Sequence, residues 1–212
     1  MSRKRIAVLA SGGGSNFEAL VNECERGNIN GDVVLLIYDR RDAYVRQRAE
    51  NHGIKYLYHN KYSCGKDLHA TDAAMADILR EHNIDLVVLA GYISQVGNVT
   101  VSAFANRIIN THPALIPSFC GMGMHGEHVH KAVVEYGVKL SGCTIHFVDN
   151  GMDTGAVILQ EAVPVYFSDT PDDVAKRVLE KEHILLPKAV ELFCDDRLRV
   201  HGRRVEISDE QA

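Results

Sequence analysis

The stretch RIINTHPALIP, residues 107–117, places Asn110, Thr111 and His112 behind the apolar pair Ile108-Ile109 and continues through Pro113 and Pro117. An asparagine amide can donate to a developing oxyanion, and a histidine beside it can donate or shuttle a proton. Proline in the exit limits how far either group drifts. One isolated histidine at a strand end is more often a packed, satisfied residue than a catalyst. Asp153, in DNGMDTGAV, shifts that balance, because a carboxylate can hold an imidazole as an ion pair and favour its charged form. Taken alone, an aspartate near Gly151 and Gly155 is a turn residue.

A second candidate is VLASGGGSNFEAL, residues 8–20, a glycine-rich turn between an apolar run and a helical pattern. Backbone N–H groups at such a helix start attract phosphate. The turn is neither G-x-G-x-x-G nor a G-K-[ST] loop, so a single phosphate monoester fits it better than a dinucleotide. A plain chain reversal with Ser15 capping the helix accounts for the same residues about equally well.

The elements that must position these groups follow from hydrophobic spacing. Short apolar runs at residues 5–10, 32–38, 55–58, 85–90 and 107–111 predict strands, and residues 16–26, 43–52 and 66–83 between them predict helices. Repeated strand–helix–strand units imply right-handed crossovers and a doubly wound α/β fold with a mostly parallel sheet. Asn110 and His112 are then expected at a carboxyl strand end at the topological switch point, with Thr111 turned to the opposite face. Residues 142–148 and 156–165 are β-rich and separated by too little chain for a crossover helix, which predicts an antiparallel C-terminal extension. A helix over residues 170–194 is expected, with Thr170 as N-cap, Pro171 at its first position and a kink at Pro187. RLRVHGRRVEI reads as a terminal hairpin turning at Gly202.

Bulk properties narrow the partners. With 212 residues, 46% hydrophobic, the chain has material for one substantial core, and a single domain is expected. A net charge of −5 without a basic block argues against nucleic acid and for small-molecule partners. Five scattered cysteines without C-x-x-C suggest reducing cytosol rather than a disulfide framework or a thiolate zinc site. The apolar run in MSRKRIAVLAS is too short for a signal peptide, and no stretch is long enough to span a membrane. His125, Glu127, His128 and His130 crowd one loop, but without a matching third element they are expected to be solvated or substrate-facing, with no metal.

In order and spacing, VLASGGGSN, DLVVLAGY, RIINTHPALIPSF, SGCTIHFVDNGMDTGAVILQEAVPV and RVLEKEH resemble the phosphoribosylglycinamide formyltransferase family, folate-dependent enzymes of purine synthesis. The resemblance runs nearly end to end and implies a Rossmann-like formyltransferase fold, with a phosphate-binding half at 1–107 and a folate-binding, catalytic half at 108–212. It implies Asn110, His112 and Asp153 as the catalytic trio. Gly14, Ser15, Asn16, Phe17 and Glu18 become the phosphate cradle, and Glu182 a contact to the ribosyl or glycinamide part. Ile93, Ser94, Gln95 and Val96, with Asn110, Val148, Asp149 and Met152, become the folate pocket. The co-substrate implied is 10-formyltetrahydrofolate, used without metal by a cytoplasmic monomer or weak homodimer.

Two departures stand out against that pattern. Ile93-Ser94-Gln95-Val96 is more polar than the family's usual Met-Arg-Ile-Leu, and SFCGMGMHGEHVHKAV is longer and richer in glycine. The same trio would serve a formyltetrahydrofolate deformylase or a methionyl-tRNA formyltransferase, whose additional domains a chain of this length is not expected to hold. A phosphate-binding module without catalysis would explain the glycine turn but leave Asn110, His112 and Asp153 without a common purpose.

Overall fold

The computed structural model describes residues 3–209. The chain divides into two compact units, residues 1–109 and 110–212, and the division falls inside a strand, β5 (Ile108–His112).

The first unit holds β1 (Lys4–Ala10), α1 (Ser15–Glu25), β2 (Gly31–Tyr38), α2 (Val45–Asn51), β3 (Lys55–Tyr58), α3 (Leu68–Glu81), β4 (Leu86–Leu89) and α4 (Asn98–Ala103). Its strands run in the order β3-β2-β1-β4. The pairs β1/β2, β1/β4 and β2/β3 are all parallel. Ile6 to Ala10, Leu35 to Ile37 and Leu86 to Val88 are completely buried, the continuous apolar reading of parallel strands covered on both faces. From β1 the chain builds outward through β2 and β3, then returns to place β4 on the other side of β1. The winding therefore reverses between β1 and β4, and not at the end of β5, where the sequence reading put the switch point.

Local chemistry starts the helices. Asp67 caps α3 by accepting the Ala70 N–H. The six-residue α4 was not anticipated, because so short a helix carries no periodic signal; it is nucleated instead by Asp72, whose carboxylate accepts the N–H groups of Val99 and Thr100. At α1 the N-cap is Gly14 in the left-handed region, φ 75°, and Ser15 is the first helical residue rather than the cap.

The second unit takes the end of β5, then α5 (Glu127–Tyr136), β6 (Leu140–Phe147), β7 (Val157–Pro164), α6 (Pro171–Cys194), β8 (Leu198–His201) and β9 (Arg204–Ile207). β6 and β7 are antiparallel, as are β8 and β9 across a turn in which Gly202 has φ 63°, while β9 lies parallel beside β7. Ala114, Val129, Val133, Cys143, Val163, Val174 and Val178 form the core that holds α5 and α6. α6 opens with a capping box in which Thr170 and Asp173 each accept from the other's backbone N–H, with Pro171 behind the cap. The expected kink at Pro187 does not end the helix, which continues through it for 24 residues in all. Glu127, His128 and His130, expected in a loop, lie inside α5, and His130 is buried there.

Candidate active site

Strand alternation separates the three polar residues that end β5. Thr111 turns to one side, where its hydroxyl donates to Glu182 Oε1 of α6 at 3.0 Å, both residues being buried. Asn110 and His112 turn to the other. There they meet two groups from one stretch of chain: Asp153, in the turn after β6, and His146, near the end of β6 itself.

The wiring of the two histidines differs. His146 donates through Nδ1 to the Phe147 carbonyl (2.8 Å) and accepts the Asn110 amide at Nε2 (3.1 Å), which is the pattern of a neutral imidazole. Burial pushes its pKa down, consistent with that state. His112 instead faces an acceptor on each side: Nε2 donates to the Phe119 carbonyl at 2.8 Å, and Nδ1 lies 3.7 Å from Asp153 Oδ2. The other carboxylate oxygen, Oδ1, lies 3.7 Å from His146 Nε2, so Asp153 sits between the two rings at ion-pair rather than hydrogen-bond range.

Main chain holds Asp153 in place. The Gly121 N–H donates to its Oδ2 at 2.9 Å, and its own backbone is left-handed, φ 56°. Next to it, Gly155 has no room for a side chain, since a Cβ would sit 1.7 Å from the Phe147 carbonyl oxygen. The proline exit of β5 is secured by Thr144 of β6, whose hydroxyl donates to the Ala114 carbonyl (2.7 Å) and accepts the Ile116 N–H (3.1 Å). An amide donor, an imidazole and a carboxylate thus converge within the second unit, a set suited to stabilising an oxyanion and moving a proton.

The other expected residues divide between side-chain and main-chain roles. In the first unit, Phe17 is wholly buried and Asn16 nearly so, which leaves Phe17 only its backbone for a ligand. The Glu18 carboxylate turns to Arg48 (3.1 Å) and His52 (3.2 Å). Burial would raise its pKa, but hydrogen bonds from His52 and Arg48 outweigh that and hold it below the ordinary value. The Ser94 hydroxyl donates to the buried Asp39, and the Ile93 N–H donates to Ser11 Oγ at 2.8 Å, while Gln95 is exposed and Val96 half-buried. In the second unit, Asp149 organises its own loop by accepting from the Gly151 N–H (3.0 Å) and the Thr154 hydroxyl (2.6 Å), beside half-buried Val148 and exposed Met152. Among the described residues no group of three or more His, Cys, Asp or Glu side chains is placed to hold a metal; His125 and His128 pack edge to face, 5.1 Å between centroids.

Residues 4–190 match the model of a protein family described as formyl transferase. The chain belongs to the formyl transferase family. It is 43% identical over 197 residues to the chloroplastic phosphoribosylglycinamide formyltransferase of Arabidopsis thaliana, covering 93% of this chain and 68% of that protein. It is 37% identical to the phosphoribosylglycinamide formyltransferase of Bacillus subtilis, over 88% of this chain and 93% of that one. Among solved structures, glycinamide ribonucleotide transformylase 1 from Symbiobacterium toebii superposes with a TM-score of 0.92 at 43% identity, covering 98% of this chain and 95% of that chain.

In this formyl transferase, sequence reasoning singled out Asn110, His112 and Asp153 but passed over His146. Its signal was present in SGCTIHF, where Thr144 and His146 alternate with Cys143, Ile145 and Phe147. Polar residues two apart in a strand otherwise apolar mark a face with work other than packing.

Proposed function

We propose that this formyl transferase moves a formyl group from 10-formyltetrahydrofolate to the amine of 5'-phosphoribosylglycinamide. The observation that carries the reading is the convergence of Asn110, His112 and Asp153 around the neutral His146. The names of the plant and bacterial relatives point to the same activity.

The deprotonated amine attacks the formyl carbon and a tetrahedral oxyanion forms. Asn110 uses the second N–H of its amide, the first being spent on His146, and the His112 imidazolium supplies the other donor. Asp153 holds His112 and, through water, takes the proton released by the attacking nitrogen. The bond from carbon to folate N10 then breaks and N10 receives that proton, so nothing beyond the two substrates is consumed. Holding both substrates together supplies much of the remaining acceleration.

In the first unit, the backbone of Gly14, Ser15, Asn16 and Phe17 is our choice for the phosphate and Ile93 to Val96 for the folate; in the second unit, Glu182 is our choice for the ribosyl or glycinamide part and Val148, Asp149 and Met152 for the folate. We read the protein as a cytoplasmic monomer or weak homodimer; no helix among the described residues is long and apolar enough to cross a membrane. The test is the absorbance change of folate deformylation, followed with and without phosphoribosylglycinamide. Turnover that requires the acceptor supports the transferase. Turnover without it selects hydrolysis of the formyl donor, and no turnover selects a binding module.

A further inference from the structure

We propose that Arg48 is a positioning residue for the phosphate group of the acceptor, acting by holding the Gly13 carbonyl away from the anion. The inference rests on the reading of the glycine turn as a phosphate cradle and deepens it.

A main-chain cradle works only when N–H groups, and not carbonyls, face the anion. Glycines leave that choice open, and a Cβ placed at Gly12 or Gly13 would meet nothing within 4 Å, so packing does not settle how these peptides turn. Hydrogen bonds do. The Gly12 carbonyl accepts the Val45 N–H at 3.1 Å, the Gly13 carbonyl accepts Arg48 Nε–H at 2.8 Å, and the Gly14 carbonyl accepts the Glu18 N–H at 2.9 Å.

Each peptide is a rigid trans plane in which the carbonyl of one residue and the N–H of the next point in opposite directions. Pinning the carbonyls of residues 12, 13 and 14 therefore aims the N–H groups of Gly13, Gly14 and Ser15 the other way, as a set. Two of the three pins come from α2. That helix also presses on Gly14, where a Cβ would sit 2.5 Å from Val45 Cγ2, so no other residue fits the bend.

Arg48 is the one pin made by a side chain, and its guanidinium is fixed by a second contact, to Glu18 at 3.1 Å. Because Glu18 matches its charge, Arg48 acts through the peptide it orients rather than as a free cation beside the phosphate. The same pairing gives Glu18 a purpose: an acid in the first turn of a phosphate-binding helix is neutralised by Arg48 and His52.

The test measures Kd by calorimetry for phosphoribosylglycinamide and for ribosylglycinamide lacking the phosphate, with wild type, Arg48→Met and Arg48→Lys. Loss of one charge-assisted hydrogen bond weakens binding about tenfold. That loss is expected for the phosphorylated ligand with Arg48→Met, while the phosphate-free ligand binds unchanged and kcat at saturation is retained. Amide NMR gives a second readout that does not depend on turnover: inorganic phosphate should shift the Gly13, Gly14 and Ser15 signals in wild type and much less in the variants. Arg48→Lys keeps the charge but lacks the fork needed for both contacts, so it should stay weakened even if Arg48→Met folds poorly. Full phosphate affinity in Arg48→Lys, or equal losses for both ligands, would overturn the proposal. Wild type binding the two ligands equally well would overturn the phosphate reading of the turn itself, and the inference with it.

Discussion

The Asn110 amide donates to Nε2 of His146 across 3.1 Å, and His146 can accept there only because its Nδ1 proton is committed to the Phe147 carbonyl. A backbone carbonyl of β6 thereby decides which way a side chain of β5 presents its donors. The amide is oriented with Nδ2 inward, so its remaining N–H has a defined direction before any substrate arrives, the preorganisation on which oxyanion stabilisation depends.

Substituting His146 tests that relay. His146→Ala leaves the Asn110 amide free to rotate and should lower kcat about tenfold, with KM for either substrate little changed, since only a transition-state contact is misaimed. Steady-state kinetics with each substrate varied in turn decides it. A rise in KM at constant kcat would assign His146 to ground-state binding.

His112→Ala and Asp153→Asn remove the proton-handling pair, and general acid–base groups contribute roughly 10²- to 10⁴-fold. Formyl transfer should fall by that amount in each variant while both substrates still bind by calorimetry. Turnover near the wild-type rate in either one would exclude the proposed chemistry.

On the other face of β5, the Thr111 hydroxyl donates to the buried Glu182 carboxylate. Thr111→Val keeps the shape but withdraws a hydroxyl from the buried Glu182 carboxylate, which should cost about 1–3 kcal/mol of stability in urea unfolding. If Glu182 also holds the ribosyl or glycinamide part, KM for that substrate should rise as the carboxylate loses its anchor. Unchanged stability would mean that Glu182 draws its orientation from elsewhere in α6.

Much of this was legible because it is local. The bounds of β3, the Thr170 cap and the Gly202 hairpin depend on neighbours in sequence, and Asn110, His112 and Asp153 stood out as polar groups in apolar or turn settings. What escaped depends on distant partners. α4 begins where Asp72 of α3 supplies its cap, 27 residues upstream of Val99. The switch point lies between β1 and β4 because β4 returns to the other side of β1, a choice that no single strand records. His146 looked like one more residue of a buried strand until Asn110 was placed opposite it. The pairing of the Glu18 carboxylate escaped because Arg48 and His52, which engage it, come from a later helix and the turn beyond it.

His52 gives the pH dependence a sign that can be checked. Burial disfavours its charged form, but the carboxylates of Glu25 (2.8 Å) and Glu18 (3.2 Å) outweigh that and raise its pKa above the usual 6.5. The folded chain therefore holds this proton more tightly than the unfolded chain. The network's contribution is fully present below about pH 6.5 and is lost as pH rises through the raised value. His146, His59 and His130 act in the opposite sense, because burial lowers each of them, so their contribution is lost as pH falls. The raw pH profile of the wild type sums these effects, and only a difference isolates His52. Melting temperatures of wild type and His52→Gln should differ most in mildly acidic buffer, with wild type the more stable, and the gap should narrow steadily toward alkaline pH. A gap that stays constant with pH would show that His52 acts by packing and that its proton is not part of what holds α1 to the turn after α2.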